Sequence, residues 1–434
     1  MSERRSGAVH AATALAIRVA SAGLMFVLQI LLARLMAPEA YGGYVALWTW
    51  MLALGSFAAL GFAESSVRFL PRYRVRQRAN AIGAFWRFGL RIVATASLMS
   101  GALGIAFALG LGDGRGWALT LLLVSCGLPF LALEYFLEGV ARSFSWFRLA
   151  SVPVYIVRPL LIAAICLGLA AADIGLTVAV VGVVLIGSMA LVTAGLALAL
   201  GRRLRQEGAA VPKAATRGQR RLWLGASLPL LLLSGLEDLT SYADILLLSL
   251  LADPGQVGIY FAAARSLALA GFVAYAMTLV AGPRFALDLV GQKRSQLQAS
   301  ILDSTRLTLW ATVLAVMAAI LGGPLLLGAF GPEFQAGQGV MWVLGAGLVV
   351  RSMSGQASEV LIVTGRQREG LLVGTAVLIT TVLAALVLVP ALGIIGAAIA
   401  SAAGMAVRTV LLAWVLARTE GLQVLSLGLP ALAR

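Results

Sequence analysis

The chain reads as an all-α, polytopic membrane protein, and three observations predict it. Of its 434 residues, 61% are hydrophobic and only 12% are charged, too little charge for a soluble domain of this size. Apolar runs of about 20 residues recur along the whole length, which is what a helix needs to cross a bilayer. The runs are also too long for membrane strands and lack alternating polarity.

About twelve transmembrane helices follow: 11–35, 43–63, 89–111, 117–138, 150–171, 175–200, 224–250, 257–282, 308–329, 338–362, 371–390 and 394–416. The first run, Ala11 to Met36, is too long for a cleaved signal peptide and ends without a small-residue cleavage site. The sixth and seventh helices are separated by 201–222, the longest basic connection, which contains Pro212 and Gly218. It reads as a linker between an N-terminal six-helix lobe, 1–200, and a C-terminal six-helix lobe, 223–434. The stretch Leu422 to Leu432 is too short to cross.

The connections alternate in chemistry. One set is basic: Arg68, Arg72, Arg74, Arg76 and Arg78, then Arg142 and Arg148, then the 201–222 linker with Lys213, then Arg284, Lys293 and Arg294, then Arg366 and Arg368. The other set is short, and Arg115 is its basic member. Arg34 lies at the outer end of the first helix. The positive-inside rule puts the basic set, and with it both termini, in the cytoplasm. These arginines serve orientation and contact with anionic headgroups. The net charge of +15 thus belongs to short loops, and no nucleic-acid partner is expected.

The chain also carries an internal echo. L-M-A-P-E-A-Y-G-G-Y at Leu35 to Tyr44 matches L-A-D-P-G-Q-V-G-I-Y at Leu251 to Tyr260, pairing Pro38 with Pro254, Gly42 with Gly258 and Tyr44 with Tyr260. Pro71-Arg72-Tyr73 follows the first copy, and Pro283-Arg284-Phe285 follows the second. Duplicated hydrophobic halves are the ground plan of many secondary transporters. The prolines would end helix-to-helix connections, the glycines would allow a close turn, and Tyr41, Tyr44 and Tyr260 would suit a membrane interface.

Enzymatic chemistry finds little support. His10 is the single histidine, and Cys126 and Cys166 fall inside predicted helices, so neither a zinc site nor a Ser-His-Asp triad is expected. No Walker sequence is present, and no GxGxxG opens a soluble α/β unit. No cofactor or metal is expected.

The stretch A-R-L-M-A-P-E-A-Y-G-G-Y after the first helix resembles the polysaccharide transporter family, the oligosaccharide-lipid flippases of the multidrug/oligosaccharidyl-lipid/polysaccharide exporter superfamily. G-I-Y-F-A-A-A-R at Gly258 to Arg265 resembles its counterpart at the eighth helix. F-G-P-E-F-Q-A-G at Phe330 to Gly337, V-T-G-R-Q-R-E-G at Val363 to Gly370 and G-I-I-G-A-A-I-A-S at Gly393 to Ser401 resemble further motifs of that family. The resemblance spans nearly the whole chain. It extends more distantly to lipid II flippases, which typically add two further helices, and to multidrug-extrusion antiporters. It implies two six-helix lobes around a central cavity that opens alternately to either membrane face.

An ionisable group inside a span costs about 2.5–3.5 kcal/mol on insertion scales unless it faces a partner or a wet cavity. The predicted spans hold Arg18, Arg158, Arg265, Arg351 and Arg408, and Glu134, Glu138, Glu237, Asp238, Asp244 and Glu359. The seventh helix is the most charged. Glu237 and Asp244, seven residues apart, share a face, while Asp238 points about 100° from Glu237. With Pro229 as a place to bend, the three carboxylates are candidates for ion coupling or gating. The alternative is static pairing with arginines.

In the resembled family the first, second, seventh and eighth helices line the cavity, so the resemblance implies Arg18 and Arg265 as headgroup ligands of an anionic lipid carrier. Guanidinium groups suit phosphate oxygens. Their alternative is a salt bridge to the seventh helix. Arg158 and Arg351 are further headgroup candidates, or partners of Glu134 and Glu359. Glu134 and Glu138, four residues apart on one helix face, read as helix packing or gating. Arg408 snorkels.

The implied activity is a secondary-type flippase in the bacterial inner membrane, moving an undecaprenyl-pyrophosphate-linked oligosaccharide for polysaccharide biosynthesis. Membrane lipids and other polysaccharide-assembly proteins are the implied partners. A cation-coupled multidrug antiporter is the first rival, but arginines beside the acids tilt toward an anionic substrate. A membrane polymerase or ligase is the second, and the small outer connections argue against it.

Overall fold

The computed structural model describes residues 20–110, 117–207, 215–271, 277, 281, 285 and 294–425. Among them the regular structure is helical, and no strand occurs. The chain divides into two compact units, Met1–Asp238 and Leu239–Arg434. Helix α1 covers Ala20–Leu35. It is followed by α2 (Pro38–Ala58), α3 (Phe62–Val75), α4 (Ala79–Gly110), α5 (Trp117–Ser143), α6 (Phe147–Val152), α7 (Arg158–Ala171), α8 (Val178–Gln206) and α9 (Arg217–Leu251). The unit boundary falls inside α9. The second unit continues with α10 (Pro254–Ala268), α11 (Arg294–Leu321), α12 (Gly323–Phe330), α13 (Gln338–Ser352), α14 (Ala357–Val363) and α15 (Gln367–Glu420).

Among the described residues, seven helices are individually long and apolar enough to cross a bilayer, or eight with the bent pair α2 and α3. Helix α15 is itself two spans. Gly393 sits at φ 56°, ψ −131° within it, a conformation that a side chain disfavours. The two arms double back there, since Arg366 before the first arm bonds Glu420 at the end of the second. Counting those arms and the shorter pieces at α1, α10 and α13–α14, the described helices are roughly consistent with the predicted twelve.

The breaks differ from the expected continuous spans. The second span bends by 46° between α2 and α3, because Leu60 and Gly61 adopt positive φ. Arg68, Arg72 and Arg74 consequently lie on helix α3 rather than in a loop. The expected 308–329 helix is divided where Pro324 opens α12, and the tenth span breaks between α13 and α14, with Gly355 at φ 50°. Arg202, Arg203 and Arg205 extend α8, and Arg217, Arg220 and Arg221 begin α9, so much of the basic linker is helical at both ends.

In the first unit α5 is the hub, packed against α2, α3, α4 and α8. Its core is aromatic: Phe62 lies 6.0 Å from Phe85 and 6.4 Å from Phe136, and Trp223 meets Phe85 at 5.1 Å. The Trp223 indole N–H donates to Tyr73 Oη at 2.9 Å. In the second unit α13 is the hub, against α10, α11 and α15. There Phe285, Leu297, Ile301, Val360 and Leu416 are buried together. Both members of the second echo, Tyr73 and Phe285, thus contact or join a core. Side chains such as Met99, Leu103 and Phe107 are exposed, as a face meeting acyl chains requires.

The first echo keeps its register. Pro38 and Pro254 each open a helix, α2 and α10, where the missing N–H is harmless. Gly42 and Gly258 therefore lie within helices and form no turn. Tyr41, Tyr44 and Tyr260 are at most 2% exposed, so they belong to the interior and not to a membrane interface.

Candidate functional site

Helix α9 brings three of the expected acids into one element. Asp244 lies in its second-unit part, where hydroxyls hold it. Tyr260 Oη donates to Asp244 Oδ2 at 2.6 Å, and Ser401 Oγ donates to the same oxygen at 3.2 Å. The two hydroxyl oxygens are 3.4 Å apart. Asp244 Oδ1 accepts the Ile245 N–H at 2.8 Å. No lysine or arginine among the described residues pairs with this carboxylate. The geometry explains the register of the first echo's second copy: Pro254 starts α10 so that Tyr260, two turns in, faces α9. Ser401 comes from the second arm of α15.

The first unit treats its buried acid differently. Glu134 on α5 is 1% exposed, and Arg158 at the start of α7 is 5% exposed. Arg158 Nη1 donates to Glu134 Oε2 at 2.6 Å, and the guanidinium carbon stands 5.3 Å from the Trp48 ring centroid. The π-helical turn Pro153–Val157 directly precedes Arg158. Tyr155, within it, donates to Glu138 Oε2 at 3.3 Å, and Glu138 meets Arg142 at 3.7 Å. Arg158 thus takes the ion-pair alternative with Glu134. Glu134 Oε1 has no partner among the described residues.

Asp238 closes the first unit's share of α9. It lies beside Ser56 near the end of α2, whose hydroxyl donates to Ala53 O at 3.0 Å, and Glu64 and Glu237 add negative potential beside it. Glu237 is exposed. Two to three turns back along α9, the bend after α2 is wedged against it: a Cβ on Gly61, at φ 69°, would strike Ser227 O and lie 2.8 Å from Leu231 N. Ser65 and Ser227 share a 2.7 Å hydrogen bond. Pro229 stands between these two contacts on α9 and supplies no N–H to the helix.

Arg265 is exposed on α10 with its guanidinium 4.8 Å from the Phe261 ring centroid. Arg351 is exposed in the last turn of α13. Arg408 Nη2 donates to Ser358 Oγ at 3.0 Å, so it is bonded to a neighbouring helix rather than simply snorkelling. Arg18 lies outside the described residues, as do His10, Arg115, Pro212, Lys213, Pro283, Arg284 and Lys293.

The polysaccharide biosynthesis protein family matches residues 11–287, more than half of the chain. The chain belongs to that family. Among curated proteins no sequence matches significantly. Solved structures share the fold. The lipid II flippase MurJ in an inward closed conformation superposes with a TM-score of 0.72 at 14% identity, covering 93% of this chain and 87% of that one. An inward-facing multidrug resistance MATE transporter of the MOP superfamily gives 0.70 at 15% identity, covering 92% and 94%. A MOP superfamily transporter from Pyrococcus furiosus, described by the reversed polarity of its binding pocket, gives 0.62 at 15% identity, covering 94% and 92%.

In this member of the polysaccharide biosynthesis family, some site residues escape sequence reading. Tyr260 reads as an interface tyrosine and Ser401 as part of a glycine-rich motif, yet both bind Asp244. Trp48 under Arg158 and Ser56 beside Asp238 carry no signal of their own. Each contact joins residues from separate helices, and helical periodicity reports only which face of its own helix a residue occupies. The echo of Tyr44 in Tyr260 was the available hint for one of them.

Proposed function

We propose that this protein is a flippase that moves a lipid-linked oligosaccharide across the bacterial inner membrane for polysaccharide biosynthesis. The supporting observation is the family match over residues 11–287 in a chain with the fold of a lipid II flippase. The basic loops and both termini face the cytoplasm. The lobes are 1–200 and 223–434, joined by 201–222. The carrier is undecaprenyl pyrophosphate, whose charge suits guanidinium groups. Arg18 and Arg265 are its proposed headgroup ligands, with Arg351 further along. Arg158 is a weaker candidate, because its charge is already taken by Glu134. The protein needs no covalent chemistry; it moves a headgroup while the lipid tail stays in the bilayer.

Asp244 is the proposed coupling group, with Glu237 and Asp238 as gating acids on the same helix. A carboxylate held only by hydroxyls and a backbone N–H can take up and release a cation or proton without first breaking an ion pair. The MATE likeness makes a cation-coupled drug antiporter the competing reading.

Reconstitution separates them. Vesicles containing the purified chain should translocate a short-chain oligosaccharide pyrophosphate lipid and leave a fluorescent organic cation unmoved. Translocation of the cation alone would establish the antiporter. Deleting the gene should cause lipid-linked oligosaccharide to accumulate on the cytoplasmic side.

A further inference from the structure

The first unit gathers its basic helix ends at one face. Arg74 near the end of α3 meets Glu207 beyond the end of α8 at 3.6 Å, and it lies 5.4 Å from the Phe144 ring after α5. Arg203 lies 5.3 Å from the Trp146 ring, and Trp223 of α9 bonds Tyr73 of α3. These contacts hold the ends of α3, α5 and α8 and the start of α9 together. Arg76, Arg78, Arg202, Arg205, Arg217 and Arg221 are all exposed on them, and none forms an ion pair among the described residues. Glu207 is engaged by Arg74.

Membrane orientation requires positive charge, and it does not require a built recess. This face has one. An open cleft of about 480 Å³ is lined by Gln77, Arg78, Asn80, Thr216 and Gln219 with alanines 79, 81 and 84. Among the described residues no carboxylate lines it. Its lining includes donor-bearing residues: Arg78 with a guanidinium, and Gln77, Asn80 and Gln219 with side-chain amides. Gln219 Oε1 is occupied by the Thr216 N–H and hydroxyl at 2.9 and 3.2 Å, so its NH2 is the group left to donate. The Arg78 backbone N–H bonds Tyr73 O at 2.8 Å, closing the α3–α4 turn and placing this residue beside the cleft. The second unit handles a basic turn in the opposite way, closing Arg366 with Glu420 and Glu369.

We propose that this cleft binds a phosphate group, either of an anionic lipid headgroup or of a free phosphate compound. A fork of guanidinium donors beside amide donors, without a competing acid, is the chemistry that recognises phosphate oxygens. The site is separate from the headgroup residues proposed above. It rests on the flippase reading only for the side of the membrane that it faces.

The test uses the full-length purified chain with two probes. One is inorganic pyrophosphate titrated in detergent. The other is retention of phosphatidylglycerol against phosphatidylcholine from mixed nanodiscs, read by native mass spectrometry. Arg78→Gln should weaken whichever probe binds by about tenfold, as loss of a charge-assisted fork implies. Asn80→Asp should do the same by placing a negative charge in the cleft, at an exposed first-turn position where an acid favours the helix. Arg202→Gln, with the same loss of charge outside the cleft, should change binding by less than about twofold. Selective retention of phosphatidylglycerol alone identifies a lipid headgroup; a pyrophosphate response alone identifies a soluble phosphate. Equal weakening by Arg78→Gln and Arg202→Gln would reduce the face to diffuse charge and overturn the site. So would binding of neither probe by the parent chain. Binding is read here without translocation, so a failed flipping assay with intact binding removes only the flippase reading.

Discussion

Glu134 in the first unit is buried and Asp244 in the second is half-buried, and the two carboxylates are satisfied in opposite ways. Glu134 is held by a cation, Arg158, which rests against Trp48. Asp244 is held by Tyr260, Ser401 and a backbone N–H. A charge pair fixes its protonation state, because neutralising one partner strands the other. A carboxylate bonded by neutral donors keeps its charge open to exchange with a proton or a cation. The first arrangement suits a brace and the second a working group, although both acids look alike in the sequence.

The largest way to break this contrast is at the brace. Arg158→Gln leaves Glu134 charged and uncompensated, and should destabilise the protein by about 3–5 kcal/mol. Melting temperature and the yield of monodisperse protein measure it. The double change Glu134→Gln with Arg158→Gln should recover most of that loss, since a buried pair replaced on both sides is often nearly neutral. If Arg158→Gln melts like the parent, the pair is not a brace.

Asp244→Asn should behave in the reverse manner. The amide oxygen can still accept from Tyr260 and Ser401, but the amide NH2 then faces the Ile245 N–H, so the stability loss should be about 1–3 kcal/mol, below that of the brace. Reconstituted flipping should lose its response to an imposed ion gradient while downhill movement continues. A normal gradient response with a folded protein would move coupling away from Asp244.

At the hydroxyls the expected effect is on stability, and it is smaller than at the brace. Tyr260→Phe removes one bond to a charged acceptor and should lower stability by about 1.5–3 kcal/mol. Denaturation of the purified variant measures this, and an unchanged melting temperature would mean that the phenol is not holding the carboxylate. Ser401→Ala, at the longer 3.2 Å contact, should lower it by about 0.5–1.5 kcal/mol. A loss larger than that of Tyr260→Phe would reverse the ranking that the distances give.

The sequence by itself determined the helical membrane class, because about 20 apolar residues in a row leave a bilayer few other solutions. It also determined the duplication: Pro38 and Pro254 open corresponding helices, and Tyr44 and Tyr260 lie in the same register behind them. It placed Glu237, Asp238 and Asp244 on one helix and left Arg158 open between a headgroup contact and pairing with Glu134. Only the tertiary structure decided which acid meets an arginine and which meets hydroxyls. It also decided that the echoed tyrosines are buried, and that Leu60 and Gly61 bend the second span against α9. The reason is physical. Span length and register are set by neighbours along the chain, whereas the partner of a buried charge comes from another helix, 24 residues away for Glu134 and 157 for the Asp244–Ser401 contact.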